Sequence, residues 1–204
     1  MSKHFNSNNV AFNPIFKLIC TMPVYKNSSV LANYRLLVSR VDEICLNINS
    51  SFEAAINCRP GCSDCCCHLT IFAVEAAVLA EALQQLPLTD INLLAELADL
   101  PEAAPCPFLM DNLCLVYGDR PIICRTHGLP ILTGTDGENR LDFCPENFRD
   151  ITSFPGSSIV NIDAVNQALV AINAQFVKET PDNRFRGKER FSFAEVIRLA
   201  FVKK

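Results

Sequence analysis

The residues with the most evident chemistry in this chain are cysteines, and many of them lie in one short stretch. Five cysteine sulfurs and one imidazole fall within the eleven residues from Cys58 to His68. Thiols so close in sequence cannot all point away from one another, and disulfides are not expected in a chain with no export signal. A soft metal cation is the natural partner of clustered thiolates, so this stretch predicts a metal site.

Four more cysteines lie downstream, separated from one another by seven, nine and nineteen residues. The eight predicted metal ligands are Cys58, Cys62, Cys65, Cys66, Cys106, Cys114, Cys124 and Cys144. Structural zinc takes four ligands, usually from two C-x2-C units, and Cys62 and Cys65 form the one unit with that spacing. Iron–sulfur clusters also take thiolates and tolerate scattered spacings. Eight thiolates fit two four-thiolate sites, but the residues alone leave open both the metal and the number of sites.

Two blocks of the cysteine pattern have a recognisable order. The first runs from Cys58 to Cys66 as C-x3-C-x2-C-C, and the second runs from Cys114 to Arg125 as C-x-x-Y-x-x-R-P-x-x-C-R. Over residues 58–146 the chain resembles the YkgJ-like cysteine cluster family, a zinc- or iron-chelating domain with a CxxCxxCC signature. The first block matches that signature with one residue inserted after its first cysteine.

A related domain occurs in the flagellin lysine-N-methylases, where the resemblance implies an iron–sulfur cluster. This favours an iron–sulfur cofactor, in the 4Fe–4S form, over zinc. The resemblance does not transfer methylase activity, because the chain shows no glycine-rich strand-to-helix turn suited to adenosylmethionine. One expected function is a metalloenzyme or electron-transfer component that uses the cluster for redox or Lewis-acid chemistry. The alternative is a non-catalytic protein that stores or delivers zinc or iron, or uses metal as a structural staple.

Two arginines of the second block, Arg120 and Arg125, are predicted to bind the cofactor. They would donate hydrogen bonds to cluster sulfurs and offset the negative charge that four thiolates leave on a cluster. The competing interpretation is that Arg120 shapes a turn and pairs with Asp119 or Asp111. Tyr117 of the same block is predicted to pack in the core.

Other residues near the pattern have less certain roles in the sequence. Cys67, His68 and His127 lie beside predicted ligands and are either further ligands or polar neighbours. Cys45 falls on an apolar helical stripe and Cys20 lies in the N-terminal arm, so both are predicted to be ordinary thiols that hold no metal.

Composition sets the outer limits. The chain has 204 residues, half of them hydrophobic, which is enough to bury the core of one domain. A net charge of -4 and a pI near 5.4 give no electrostatic reason to expect nucleic acid. The sequence shows neither a secretory signal nor an apolar run long enough to span a bilayer. We therefore expect a cytoplasmic protein whose partners are metal ions, and the sequence names no protein partner.

Apolar residues recur with a helical period on both sides of the cysteine stretch. The predicted helices span residues 30–56, 71–86, 89–100, 161–178 and 192–202. Ser192 and Glu195 form a predicted capping box at the start of the last helix. Cys66, Cys67 and His68 would lie at the start of the second helix, where the helix dipole is predicted to lower cysteine pKa values.

Residues 105–130 are too rich in proline, glycine and cysteine for a long helix, so a wrapped loop with one short helical turn is predicted there. A hairpin is predicted from residues 129–132 and 140–143, and its second strand leads to Cys144. The expected fold is mainly α. It consists of an irregular arm at residues 1–28 and a single helical domain at 29–204, with a metal-bound cysteine-rich loop layer and one short β-hairpin.

Overall fold

Helices form most of the regular structure, as the apolar periodicity predicts. The computed structural model describes residues 29–97, 105–135 and 138–201. Within these ranges the helices are α1 (Ser29–Ser51), α2 (Ala73–Leu83), α3 (Leu88–Leu97), α4 (Ile122–Thr126), α5 (Ile162–Glu179) and α6 (Phe193–Phe201). The strands are β1 (Thr70–Phe72), β2 (Leu109–Met110), β3 (Leu113–Cys114), β4 (Ile131–Thr135), β5 (Glu138–Asp142), β6 (Val160–Asn161) and β7 (Arg190–Ser192). The mainly α class is confirmed, whereas the predicted arm, Cys20 and the end of the third predicted helix lie outside the described residues.

Helix α1 was predicted to continue to Ile56 but ends at Ser51. Phe52 leaves helical geometry, with φ -127° and ψ 28°, and its ring packs edge-on against Phe148 with 5.7 Å between centroids. A 3-10 turn at Glu53–Ala55 follows. The packing of one aromatic ring therefore overrides helical periodicity and turns the chain toward the first cysteines.

Helix α2 begins at Ala73 rather than at Ile71, because Thr70–Phe72 form strand β1. Strand β1 pairs antiparallel with β7, and each strand runs directly into a helix. The N–H of Ala73 donates to the carbonyl of Glu189 at 2.9 Å, and the N–H of Phe193 donates to that of Leu69 at 3.3 Å. This reciprocal pairing sets α2 and α6 side by side.

The predicted capping box at the start of α6 is confirmed. The carboxylate of Glu195 accepts from the N–H of Ser192 at 2.9 Å, and the Ser192 hydroxyl accepts from the N–H of Glu195 at 3.3 Å. Glu75 caps α2 in a similar way by accepting from the N–H of Phe72 at 3.0 Å.

Two hydrophobic cores pack against the two halves of α1. The main core is built from the N-terminal half of α1 with α2, α3, α5 and α6, and its largest buried side chains include Leu79, Leu83, Phe108, Phe185 and Phe193. The second core lies against the C-terminal half of α1 and consists of Val41, Cys45, Ile48, Leu129, Phe148 and Val160. No helix in the described residues is long and apolar enough to cross a membrane.

The predicted hairpin is confirmed as β4 paired antiparallel with β5, in a register that runs from Ile131 opposite Asp142 to Thr135 opposite Glu138. Strand β6 adds to it in parallel and leads into α5, where the Asn161 side chain caps the helix by accepting from a backbone N–H at 3.0 Å. The loop that follows β5 carries Cys144, as expected.

Candidate metal centre

The first cysteine stretch, which follows α1 and the 3-10 turn, forms two successive tight turns. The N–H of Cys62 donates to the carbonyl of Arg59 at 3.0 Å, and the N–H of Cys66 donates to that of Ser63 at 2.9 Å. Gly61 has φ +94°, a left-handed conformation that glycine adopts without steric penalty. These turns leave three predicted ligands at the surface, Cys58, Cys62 and Cys65.

A second segment is held directly against this stretch. The N–H of Cys106 donates to the carbonyl of Cys66 at 3.4 Å. The hairpin formed by β2 and β3 then places Cys114 opposite Leu109, whose N–H donates to the carbonyl of Cys106 at 3.1 Å. Two cysteines with seven residues between them in sequence are therefore neighbours in space.

The β2–β3 hairpin was not predicted from the sequence. Its turn consists of Asp111 and Asn112, with φ 49° and 62°, which is the backbone of a two-residue hairpin turn with positive φ at both positions. An Asp-Asn pair between two apolar pairs was the available signal. The hydroxyl of Ser63 donates to Asn112 Oδ1 at 3.1 Å, so the turn is also tied to the first cysteine stretch.

Helix α4 supplies Cys124, and a buried carboxylate holds the start of this helix. Glu75 Oε1 accepts from the N–H of Ile122 at 3.0 Å, while Oε2 caps α2. Burial raises the pKa of Glu75, although the two backbone N–H groups oppose the shift. Glu75 thus joins α2 to α4 and positions Cys124, a role that no sequence spacing indicated.

Cys66, Cys106, Cys114 and Cys124 form what we call the inner group. Burial, with smaller effects from the thiols of Cys106 and Cys114, raises the pKa of Cys124 to about 12. Burial and then the thiols of Cys114 and Cys66 raise the pKa of Cys106 to about 12, although the Phe108 N–H lowers it. Without metal the thiols of Cys106 and Cys124 stay protonated near neutral pH, so they are poor nucleophiles and a metal must displace their protons.

Cys58, Cys62, Cys65 and Cys144 form what we call the outer group. A Cβ added to Gly128 would lie 3.3 Å from Cys58 Sγ and 3.4 Å from Cys144 Cβ, so both cysteines border this glycine. Gly128 has φ +83°, and its backbone would be strained by any other residue. Burial raises the pKa of Cys58, and the thiols of Cys62 and Cys144 add to this effect.

Asn147 is a buried amide of the outer group that sequence reasoning missed. Its Nδ2 donates to Cys58 Sγ at 3.3 Å and to the carbonyl of Gly128 at 2.9 Å. Its Oδ1 accepts from the N–H of Asn57 at 2.9 Å. The side chain therefore joins the loop after α1 to the loop after α4.

The inner and outer groups meet at consecutive residues. Cys65 is exposed, yet its surroundings still desolvate the thiol, and this desolvation followed by the thiol of Cys66 raises the pKa of Cys65 to about 11. The thiol of Cys58 adds to this rise in the pKa of Cys65. The predicted helix-dipole effect at this point is wrong, because β1 separates Cys66 and His68 from the start of α2.

The hydrogen bonds of the two arginines go to backbone carbonyls and to one carboxylate, rather than to sulfur. Arg125 Nη1 donates to Asp42 of α1 at 2.8 and 2.9 Å, and its Nε donates to the carbonyl of Arg120 at 2.6 Å. Arg120 Nε donates to the carbonyl of Tyr117 at 2.9 Å, and Nη1 donates to that of Cys124 at 3.5 Å. Asp42 on α1 is thus the acidic partner of Arg125. Among the described residues, Arg120 donates to backbone carbonyls rather than to Asp111 or Asp119, and the proposed action of the arginines on a cluster would be electrostatic.

Tyr117 and the histidines complete the surroundings. The prediction that Tyr117 packs in the core is wrong, since it is 64% exposed and Arg120 stacks on its ring at 3.5 Å. Both ring nitrogens of His68 are buried without a hydrogen-bond partner among the described residues, whereas His127 is exposed. Cys67 is exposed and pairs with Pro105 in a single β-bridge.

The thiols are neighbours rather than a finished coordination shell. In the part of the chain that the structure describes, no three cysteine, histidine or carboxylate side chains are already arranged to hold a metal ion. The donor set nevertheless fits a soft metal, since both groups contain thiols only. Binding would draw the loops together, so metal affinity and loop folding are linked.

Comparison with known proteins agrees with this donor set. The model of the CxxCxxCC family, described as "Putative zinc- or iron-chelating domain", matches residues 57–145. Residues 57–145 are thus similar to a CxxCxxCC domain. The resemblance seen in the sequence is confirmed, and the chain is a metal-binding protein. The match covers somewhat less than half of the chain and leaves α1, α5 and α6 outside it. Neither the curated proteins nor the solved structures gave a match.

Proposed function

We propose that the CxxCxxCC domain holds an iron–sulfur cluster in the 4Fe–4S form. The observation that carries this proposal is the sequence spacing of the inner group. Its four cysteines are scattered along the chain, and no two of them form a C-x2-C pair. Structural zinc is usually bound through such pairs, whereas iron–sulfur clusters accept scattered cysteines.

The surroundings of the inner group support the same proposal. Cys106, Cys114 and Cys124 pack against the main hydrophobic core. Apolar packing limits the access of water, which is one of the factors that set the reduction potential of a cluster. Arg120 lies close enough to oppose the rise in the pKa of Cys114 and Cys124, so its positive charge would offset part of the charge on a four-thiolate site.

A bound cluster would supply electron transfer or a Lewis-acidic iron, and we propose redox or Lewis-acid chemistry as the function on this basis. The thiols themselves serve as ligands, because a thiolate engaged by metal is not available as a nucleophile. The resemblance to the domain of the flagellin lysine-N-methylases also supports iron over zinc.

The test is metal and sulfide analysis of native protein purified without oxygen. We expect iron and acid-labile sulfide in equal amounts, with a visible absorbance that oxygen bleaches. Cys124→Ala should lose iron, and the matched control Cys45→Ala, which removes a buried thiol outside both groups, should keep it. Zinc at full occupancy without sulfide would overturn the proposal in favour of a zinc-chelating protein.

A further inference from the structure

We infer that the eight cysteines form two separate metal sites with different access to solvent. The inner site consists of Cys66, Cys106, Cys114 and Cys124, and the outer site consists of Cys58, Cys62, Cys65 and Cys144. The inference rests on the proposed function only in so far as these cysteines bind metal, and it holds for iron and zinc alike.

Packing separates the inner site from the outer one. Three of its four cysteines contact the main hydrophobic core, and the fourth, Cys66, is bound through its carbonyl to the N–H of Cys106. Helix α4, which carries Cys124, is fixed to buried α2 through Glu75. The inner ligands are thus attached to elements that the core already holds in place.

The outer site is built from different partners. Cys58 and Cys144 both border Gly128, and the thiol of Cys58 accepts a hydrogen bond from Asn147. Three of its four cysteines are exposed, namely Cys58, Cys62 and Cys65. Its ligands therefore lie on surface loops that a chelator in solution can reach.

The number of ligands agrees with this division. A tetrahedral metal ion or a 4Fe–4S cluster takes four thiolates, and the eight cysteines divide into two sets of four. The sets touch at Cys65 and Cys66, which are consecutive in the chain. Two sites joined by one peptide unit lie close together yet differ in exposure, so the outer metal exchanges with solution while the inner metal is retained.

The experiment follows the loss of metal from the wild-type holoprotein after a chelator is added, under anaerobic conditions. We expect two phases of about equal amplitude, the fast one from the outer site and the slow one from the inner site. Cys58→Ala and Cys144→Ala should remove the fast phase, whereas Cys106→Ala and Cys124→Ala should remove the slow one.

Two control variants match the two sites. Cys67→Ala removes an exposed thiol that belongs to neither set, and Cys45→Ala removes a buried one; both should keep the two phases. A single phase that carries all of the metal in the wild-type protein would overturn the inference, and this result needs no variant to fold. Iron lost in one phase would refute the two sites alone, whereas zinc lost in two phases would refute the iron–sulfur proposal alone.

Discussion

Asn147 shows what a single buried amide contributes to a cysteine site. The side chain is 0% exposed, and its three hydrogen bonds join Asn57, Gly128 and Cys58. Removing such a side chain takes the partner from two partly buried backbone groups, the N–H of Asn57 and the carbonyl of Gly128, which costs more than the net value of the bonds themselves. We expect the residue to orient Cys58 rather than to bind metal.

Replacing Asn147 with Ala should lower the free energy of unfolding by about 2 kcal/mol. It should also speed the loss of outer metal, because the Cys58 thiolate loses its N–H donor, while the slow phase stays unchanged. Urea unfolding and the chelator time course measure the two effects. Asn139→Ala, an exposed substitution on β5, is the control, and an unaltered fast phase in Asn147→Ala would contradict the assigned role.

Cys45 provides the opposite case at the same scale. It is 8% exposed on α1, and its thiol lies 3.7 Å from the carbonyl of Arg125. Cys45→Ala should cost about 1 kcal/mol of stability through lost packing and leave metal content unchanged. Metal analysis beside thermal unfolding checks this, and loss of metal would show that a ligand has been misassigned.

Sequence spacing indicated which cysteines are candidate ligands, but it did not indicate the side chains that hold those cysteines in place. Clustered cysteines are recognisable in a sequence as a candidate metal site, because few other functions require thiols so close together. Asn147 and Glu75 carry no such signal, since an amide or a carboxylate gains its role only when folding buries it beside a backbone group. The position of Tyr117 was also mispredicted, because its ring stacks with the guanidinium of Arg120 at the surface instead of packing in the core.

At the scale of elements, two strand–helix units face each other with a glutamate at each helix start. Glu75 caps α2 and also holds the N–H of Ile122, whereas Glu195 caps α6 and pairs with Lys188. The two caps therefore offer a matched comparison, because Glu75 is connected to α4, which carries Cys124, whereas Glu195 is not.

Glu75→Gln should destabilise the protein by about 2 kcal/mol, because an amide group would face a buried N–H donor. It should also loosen α4 and speed the loss of inner metal. Glu195→Gln should cost less, about 1 kcal/mol, and leave both phases of metal loss unchanged. Equal rates of inner metal loss in the two variants would show that Glu75 does not position Cys124.

The cap of α6 also predicts a dependence on pH. Burial would raise the pKa of Glu195, but the hydrogen bonds from Lys188 and the Ser192 N–H outweigh it and lower the pKa below its ordinary value of 4.5. A carboxylate with a lowered pKa stabilises the fold above its unfolded pKa, and this contribution is lost as the pH falls through the folded pKa. The stability difference between wild type and Glu195→Gln should therefore shrink in acid. Urea unfolding of both proteins, from neutral pH to below pH 4.5, measures this stability difference. A difference that grows toward low pH would contradict the assignment.

Helices that repeat their pattern over several turns were predictable, whereas strands of two or three residues were not. Apolar periodicity predicted α1 and α5 because each repeats its pattern over several turns. Strands β1 and β7 have three residues each, and their pairing joins Thr70 to Ser192 across most of the chain. No local pattern can indicate a partner so far away, so α2 was predicted to begin too early.

At the scale of the whole molecule, the helices and the cysteine loops depend on different sources of stability. The helices bury apolar side chains in two cores, whereas residues 58–68 have few buried side chains of their own. Removing metal should therefore leave α1, α5 and α6 protected from hydrogen exchange and expose the amides of residues 58–68. Hydrogen exchange on chelator-treated and metal-loaded protein measures this, and equal loop protection in both would contradict it.

The pairing of β1 with β7 also has a consequence in time. After Thr70 the ribosome adds 120 residues to reach Arg190, at roughly 5–20 residues per second, so β1 waits on the order of ten seconds for its partner. All eight cysteines have been made before β7 exists. The ligands are thus available to metal while α2 still lacks its neighbour α6, and we expect the chain to complete its donor set before it completes its fold.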